Sequence, residues 1–275
     1  MNVNSCVKAA GSALKSYRPL ICEFCGAETL SGGGMAFCSN CESIVESESK
    51  TLEGTNPSLF GALASIRTAI ARSDFDAAGV GYDGLLVMKQ TPGLLYAKGI
   101  MSISHSNHVV SQIRYDGDGF MEGNSELRAK GSLILSEAKR LIAKSRAMSE
   151  KEAMGVQSPR LLYNLFLCDL KVGDLRAASD RLAGITGLEK DGALAIYSAI
   201  VLDTFAGRHH EAERSLERIF GLESPPANSF YYAAFNSFKL GDRAGASKIL
   251  SSSGSLIEDS KRENLLSAMK LEDSQ

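Results

Sequence analysis

No segment of this chain is apolar for long enough to cross a membrane, which takes about 20 residues. The N-terminus (Met1-Asn-Val-Asn-Ser-Cys6) lacks the apolar core of a signal peptide. Lys8 and Lys15 interrupt the one candidate stretch. These two absences predict a cytoplasmic protein without a membrane partner. A surplus of positive charge is missing too: the formal net charge is −2. Neutralising phosphates requires such a surplus, so a protein built around nucleic acid is not expected. No phosphate-cradling glycine loop and no nucleophile elbow occur. No Ser–His–Asp or Cys–His set is localised by a motif. Binding, not catalysis, is the expected activity. Tryptophan is absent altogether.

Cysteine is scarce, and its distribution matters more than its number. Of six cysteines, Cys6 and Cys168 stand apart, and the other four fall within residues 22–41 (CEFCGAETLSGGGMAFCSNC). This is not the even spread of a disulfide framework. In a reducing compartment, paired CxxC units point to a metal. Each CxxC turn offers two thiolates from one knuckle, and two knuckles close a tetrahedron. Cys22, Cys25, Cys38 and Cys41 are therefore the metal-ligand candidates, with a redox CxxC pair as the alternative. Gly26 follows the first knuckle, where a turn needs positive φ. Gly32, Gly33 and Gly34 suit a hairpin between the knuckles, and Phe37 is placed to cover the metal. Four filled positions leave none for water, so one structural Zn²⁺ is expected.

The spacing CxxCG…FCxxC resembles a zinc ribbon. That resemblance implies a small β unit over residues 19–48, preceded by an N-terminal helical segment (1–18) and followed by a linker (49–55). Between Pro19 and Ser49 the ionisable side chains besides cysteine are Glu23, Glu28, Glu42, Glu46 and Glu48. Such a surface repels phosphate, which favours a protein partner over a nucleic acid.

From residue 56 onward the pattern is helical and repetitive. Gly173-Asp-Leu-Arg-Ala-Ala178, Gly207-Arg-His-His-Glu-Ala212 and Gly241-Asp-Arg-Ala-Gly-Ala246 recur at intervals of 34 residues, and Ser73-Asp-Phe-Asp-Ala-Ala78 is a variant with Ser for Gly. Asn56-Pro57, Thr91-Pro92, Ser158-Pro159 and Ser224-Pro225 each place a side-chain cap before proline, which reads as a helix start. A period of 34 with helix–Gly turn–helix resembles tetratricopeptide repeats. The implied fold is mainly α: a solenoid of antiparallel helix pairs over 56–271, with 257–271 as a capping helix. The lack of tryptophan, and Phe166 and Ile200 at positions where that family carries small residues, depart from the pattern. Residues 124–154 lack the turn motif and read either as one long helix or as a divergent repeat.

Tyr96, Tyr163, Tyr197 and Tyr231 occupy equivalent positions, with Ile100, Leu167, Val201 and Phe235 one helical turn further on. In the tetratricopeptide family this face lines the concave groove. The resemblance therefore implies a partner-binding groove at Tyr96, Tyr163, Leu167, Tyr197, Val201, Tyr231 and Phe235. Packing between adjacent helices is the competing reading. The expected function is a protein- or peptide-binding adaptor. Two alternatives stay open: a nucleic-acid-associated factor using the ribbon or the basic helix 125–152, and a regulatory subunit docked on an enzyme. Histidines His105, His108, His209 and His210 read as solvated turn residues. Asp116–Glu122 resembles a calcium loop but has Leu127 where the twelfth-position acid belongs, so it reads as a flexible connection. Cys168 reads as a buried structural thiol.

Overall fold

The computed structural model describes residues 3–22, 24–32, 35–45, 57–112, 115–116, 119–120, 124–152, 158–189 and 192–272. Among these, the chain is a mainly α solenoid with a small β unit near its N-terminus. Helix α1 (Val3–Ser16) comes first. Strands β1 (Arg18–Ile21), β2 (Glu28–Ser31), β3 (Ala36–Phe37) and β4 (Ile44–Val45) follow. They form two antiparallel hairpins, pairing Arg18 with Ser31 and Ala36 with Val45. The expected linker and Asn56 lie outside the described residues.

Five helix pairs come next: α2 (Pro57–Ala71) with α3 (Phe75–Met88), α4 (Pro92–Ser111) with α5 (Asn124–Glu152), α6 (Pro159–Val172) with α7 (Leu175–Leu188), α8 (Ala193–Phe205) with α9 (His209–Ile219), and α10 (Asn228–Lys239) with α11 (Arg243–Ser253). Helix α12 (Asp259–Glu272) ends the series. Residues 124–152 form one long helix that packs along α4. The α4–α5 connection carries a short hairpin, β5 (Tyr115–Asp116) with β6 (Gly119–Phe120).

Within pairs the turns repeat one device. Gly173, Gly207 and Gly241 adopt left-handed φ of 88°, 72° and 86°, and Ser73 does the same at 58°. The next residue returns its N–H to a carbonyl five residues back: Asp74 to Ala69, Asp174 to Asp169, Arg208 to Asp203, Asp242 to Ser237. These bonds close the helix C-terminus as a Schellman turn. Asp74, Asp174 and Asp242 then cap the following helix, accepting from the backbone N–H of Ala77, Ala177 and Gly245. Arg208 has no side-chain acceptor and makes no such cap. A serine held left-handed costs about 1–2 kcal/mol relative to the right-handed region, a penalty glycine escapes. Ser73→Gly is therefore expected to stabilise the protein by about 1 kcal/mol, read as a rise in the urea midpoint at constant slope. An unchanged or lowered midpoint would contradict the turn assignment.

Ser224 departs from the sequence expectation. Helix α10 starts later, at Asn228, and the Ser224 hydroxyl donates instead to Gly32 O at 2.9 Å. The residue ties the array to the β unit and caps no helix.

The array curls until its ends meet. Arg67 on α2 pairs with Glu258, just before α12, at 3.6 Å. Helix α1 packs against α11, and Lys248 donates to Asn4 Oδ1 at 2.9 Å. Buried residues of the β unit and of the helices form one continuous core.

Candidate functional site

The two CxxC knuckles share one backbone geometry. In the first, Gly26 N–H donates to Cys22 O, and Cys22 N–H donates to Ala27 O. In the second, Glu42 N–H donates to Cys38 O, and Cys38 N–H to Ser43 O. The residue after each second cysteine is left-handed: Gly26 at φ 70° and Glu42 at φ 63°. Backbone N–H groups of Asn40 and Cys41 point at Cys38 Sγ from 3.4 and 3.5 Å.

The four sulfurs converge. Cys22 and Cys41 lie 3.7 Å apart, Cys25 and Cys38 lie 3.4 Å apart, and all four lie within 4.8 Å of one another. Metal–thiolate bonds of about 2.3 Å in a tetrahedron put sulfurs about 3.8 Å apart, so the cluster fits one metal ion. All four are buried and none is in a disulfide. Hydrogen bonds from Cys22, Cys38 and Cys41 hold the Cys25 thiol well below the usual thiol range. Burial, then contact with Cys22 and Cys25, pushes Cys38 well up. Contacts with Cys22, Cys25 and Cys38, then burial, do the same to Cys41. Four buried thiols this close resist ionising together, whereas a bound metal would let all four sulfurs ionise.

The β unit sits inside the curve of the array and touches the first helix of every pair. A Cβ on Gly26 would come within 3.0 Å of Leu63 O on α2. The Phe24 ring lies against Gly93 at the start of α4, so closely that it leaves no room for a Cβ there. Phe37 stacks on Tyr197 of α8 with centroids 4.0 Å apart, and meets Tyr163 of α6 edge-on at 5.3 Å. Tyr163 Oη donates to Glu42 O at 3.0 Å, and Asn228 Nδ2 of α10 donates to Cys38 O at 3.0 Å. The Glu42 carboxylate accepts from Tyr232 Oη at 2.6 Å and pairs with Lys171 Nζ at 3.5 Å. Burial would raise its pKa, but Lys171, Lys261 and the Tyr232 hydroxyl outweigh burial and hold it below the usual carboxylate range.

This arrangement corrects the expectation of an open groove at most of the seven residues. Tyr96, Tyr163, Leu167, Tyr197 and Val201 are buried, at 4% exposure or less. The chain's own β unit covers this face, so these rings are core. Only Tyr231 and Phe235 stay half-buried. With Phe205, which is 46% exposed, they wall a cavity of about 310 Å³ that Glu42, Thr204, Tyr232 and Lys261 complete.

Sequence reasoning missed Glu42. No residue type announces a left-handed glutamate, but the match of Cys38-x-x-Cys41-Glu42 to Cys22-x-x-Cys25-Gly26 was a usable signal. Tyr82 was missed as well. It is fully buried on α3, and burial, reinforced by the four cysteines, raises its hydroxyl pKa. Cys6 and Cys168 are buried thiols pushed up to about 12 by burial. His105 of α4 stacks on Phe75 of α3, and His209 bonds Asn236, so among the described residues the histidines do not come together as a metal set. Part of the basic surplus on α5 is used internally. Arg140 pairs with Glu137, and Arg146 with Glu150 and the buried Asp169. No described helix is long and apolar enough to cross a membrane.

Fold and site together define a class: an α-solenoid wrapped around a β unit with a four-cysteine metal-binding cluster. No family model matches the chain, and no curated protein matches it significantly.

Proposed function

We propose that this protein is a binding protein, an adaptor or scaffold, whose tetratricopeptide-like array is built around a structural zinc ribbon. The observation that carries this reading is the uncovered end of the concave face. There Phe205, Tyr231 and Phe235 leave aromatic area in contact with solvent beside a cavity. Rigid aromatic side chains in a concavity are the usual anchors of protein and peptide recognition. The metal is read as zinc because four thiolates fill a tetrahedron and leave no position for water or substrate. Elemental analysis of protein purified without added metal should return one zinc per chain, and a value near zero in reduced protein would remove this reading.

A photoreactive phenylalanine analogue at position 205 tests the surface. In native lysate it should form discrete cross-linked bands. The same analogue at Val87, an exposed site on α3 at 88%, should form none. Equal labelling from both positions, or none from 205, would contradict a partner surface at this end of the array.

A further inference from the structure

The cavity at the open end of the array has a specific chemistry. Its walls are the rings of Phe205, Tyr231, Tyr232 and Phe235. Its floor is the Glu42 carboxylate, already engaged by Tyr232 and Lys171. Lysine ammoniums stand over the rings: Lys171 Nζ lies 4.6 Å from the Phe205 centroid, Lys261 Nζ 5.1 Å from Tyr231, and Lys239 Nζ 5.7 Å from Phe235. Lys171 pairs directly with Glu42, and Lys261 acts on the same carboxylate without a direct ion pair. Among the described residues, Lys239 and Lys261 have ring contacts but no ion pair. Lys171 and Lys261 share the single Glu42 charge and so exceed it by one, and aromatic walls edged by that surplus and by Lys239 complement a ligand with an apolar body and an anionic edge.

Resting on the partner surface proposed above, we infer that this cavity takes a peptide segment in which an aromatic or aliphatic side chain stands beside one or two carboxylates. The apolar side chain enters between Phe205, Tyr231 and Phe235. The neighbouring carboxylates meet Lys239 and Lys261. The volume, about 310 Å³, holds one large side chain with part of its backbone, at the small end of the range for ligand pockets. A nucleic-acid strand fits less well. Ring stacking alone would suit its bases, but its phosphates need a run of cations. Here two ammoniums are available, next to a buried carboxylate in a chain of net charge −2.

Fluorescein-labelled synthetic peptides and the intact, metal-loaded chain provide the test. One peptide carries Phe beside two Glu, a second Phe beside two Gln, a third Phe beside two Lys, and a fourth Gly beside two Glu. A single-stranded oligonucleotide is the fifth probe. Anisotropy should show binding of the first peptide, weakened about tenfold or more in each of the other peptides and in the double variant Lys239→Glu, Lys261→Glu, with affinity falling as salt rises. Lys261 lines the cavity and Lys239 is exposed over Phe235 and Phe238 at the end of α10, and the variant's melting curve verifies that it folds. Equal binding of the neutral peptide, preference for the basic peptide, tighter binding of the oligonucleotide, failure of every peptide to bind, or indifference to the charge reversal would each overturn the inference. Cross-linking from position 205 separates this failure from a broader one. Cross-links that persist while the peptide pattern fails leave the surface standing and remove only its ligand chemistry. Loss of the cross-links themselves removes the surface.

Discussion

Tyr197→Ala will cost about 3–5 kcal/mol of folding stability, as large-to-small changes do in packed cores. The side chain is fully buried, and its ring is stacked on Phe37 at 4.0 Å. Truncation leaves a void between the ribbon and α8 that neither rigid neighbour can fill. A domain has only about 5–15 kcal/mol to lose, so urea unfolding should show a large drop in midpoint. Tyr197→Phe keeps the ring and removes a buried hydroxyl that has no hydrogen-bond partner, so it should be as stable as wild type or more so. Tyr231→Ala, at a half-buried ring on the cavity wall, should cost roughly 1–2 kcal/mol through lost apolar burial. A Tyr197→Ala protein that melts like wild type would show that the ribbon does not occupy the concave face.

Chelating the zinc proposed for the cysteine cluster, or changing Cys38 to Ser, will unfold the array together with the β unit. Two independent parts, as the sequence pattern suggests, would keep most helix content after the ribbon is lost. The structure implies otherwise. Ribbon residues Phe37, Ala36 and Ile44 belong to the same buried core as Tyr163, Tyr197 and Phe230. Structural zinc sites supply about 10–16 kcal/mol of apparent binding energy, comparable to a whole domain's stability. Circular dichroism during titration with a chelator should show helix signal falling cooperatively with metal release. Proton competition has the same sign. The metal needs thiolates, so acidification protonates the ligands and the metal-derived stability is lost as pH falls. Retention of most helix signal in fully metal-free protein would refute the shared core.

The sequence was most informative where chemistry demands a fixed spacing. The knuckle pattern located Cys22, Cys25, Cys38 and Cys41, and the cluster they form needs only that spacing plus a hairpin. The helix pairs were legible from the turns, because a left-handed residue followed by an N-cap aspartate leaves a trace in residue type. The occupant of the concave face was not legible. Periodicity marks which face of a helix is apolar, not what covers it. Tyr163 and Tyr197 carry polar tips that suit a half-open groove equally well. In the structure the Tyr163 hydroxyl is spent on Glu42 O, a residue 121 positions away. Helix α5 was ambiguous for another reason: it has neither glycine turn nor capping proline to mark a boundary inside residues 124–152.

The curled architecture also sets the order in which this chain can fold. Solenoids usually mature pair by pair, since each repeat contacts only its neighbours. Here Cys38 O waits for Asn228, 190 residues later, and Asn4 waits for Lys248, 244 residues later. At about 5–20 residues per second, a ribosome needs roughly 10–50 s to supply those partners. Until α6 and α8 follow, Phe37 lacks the rings of Tyr163 and Tyr197 that cover it, and the cover stays incomplete until α10. Early metal capture would protect the thiols during this wait, and contacts this distant in sequence make the final closure slow. A nascent chain stalled before α10 should therefore hold metal yet remain far more open to protease than the finished one.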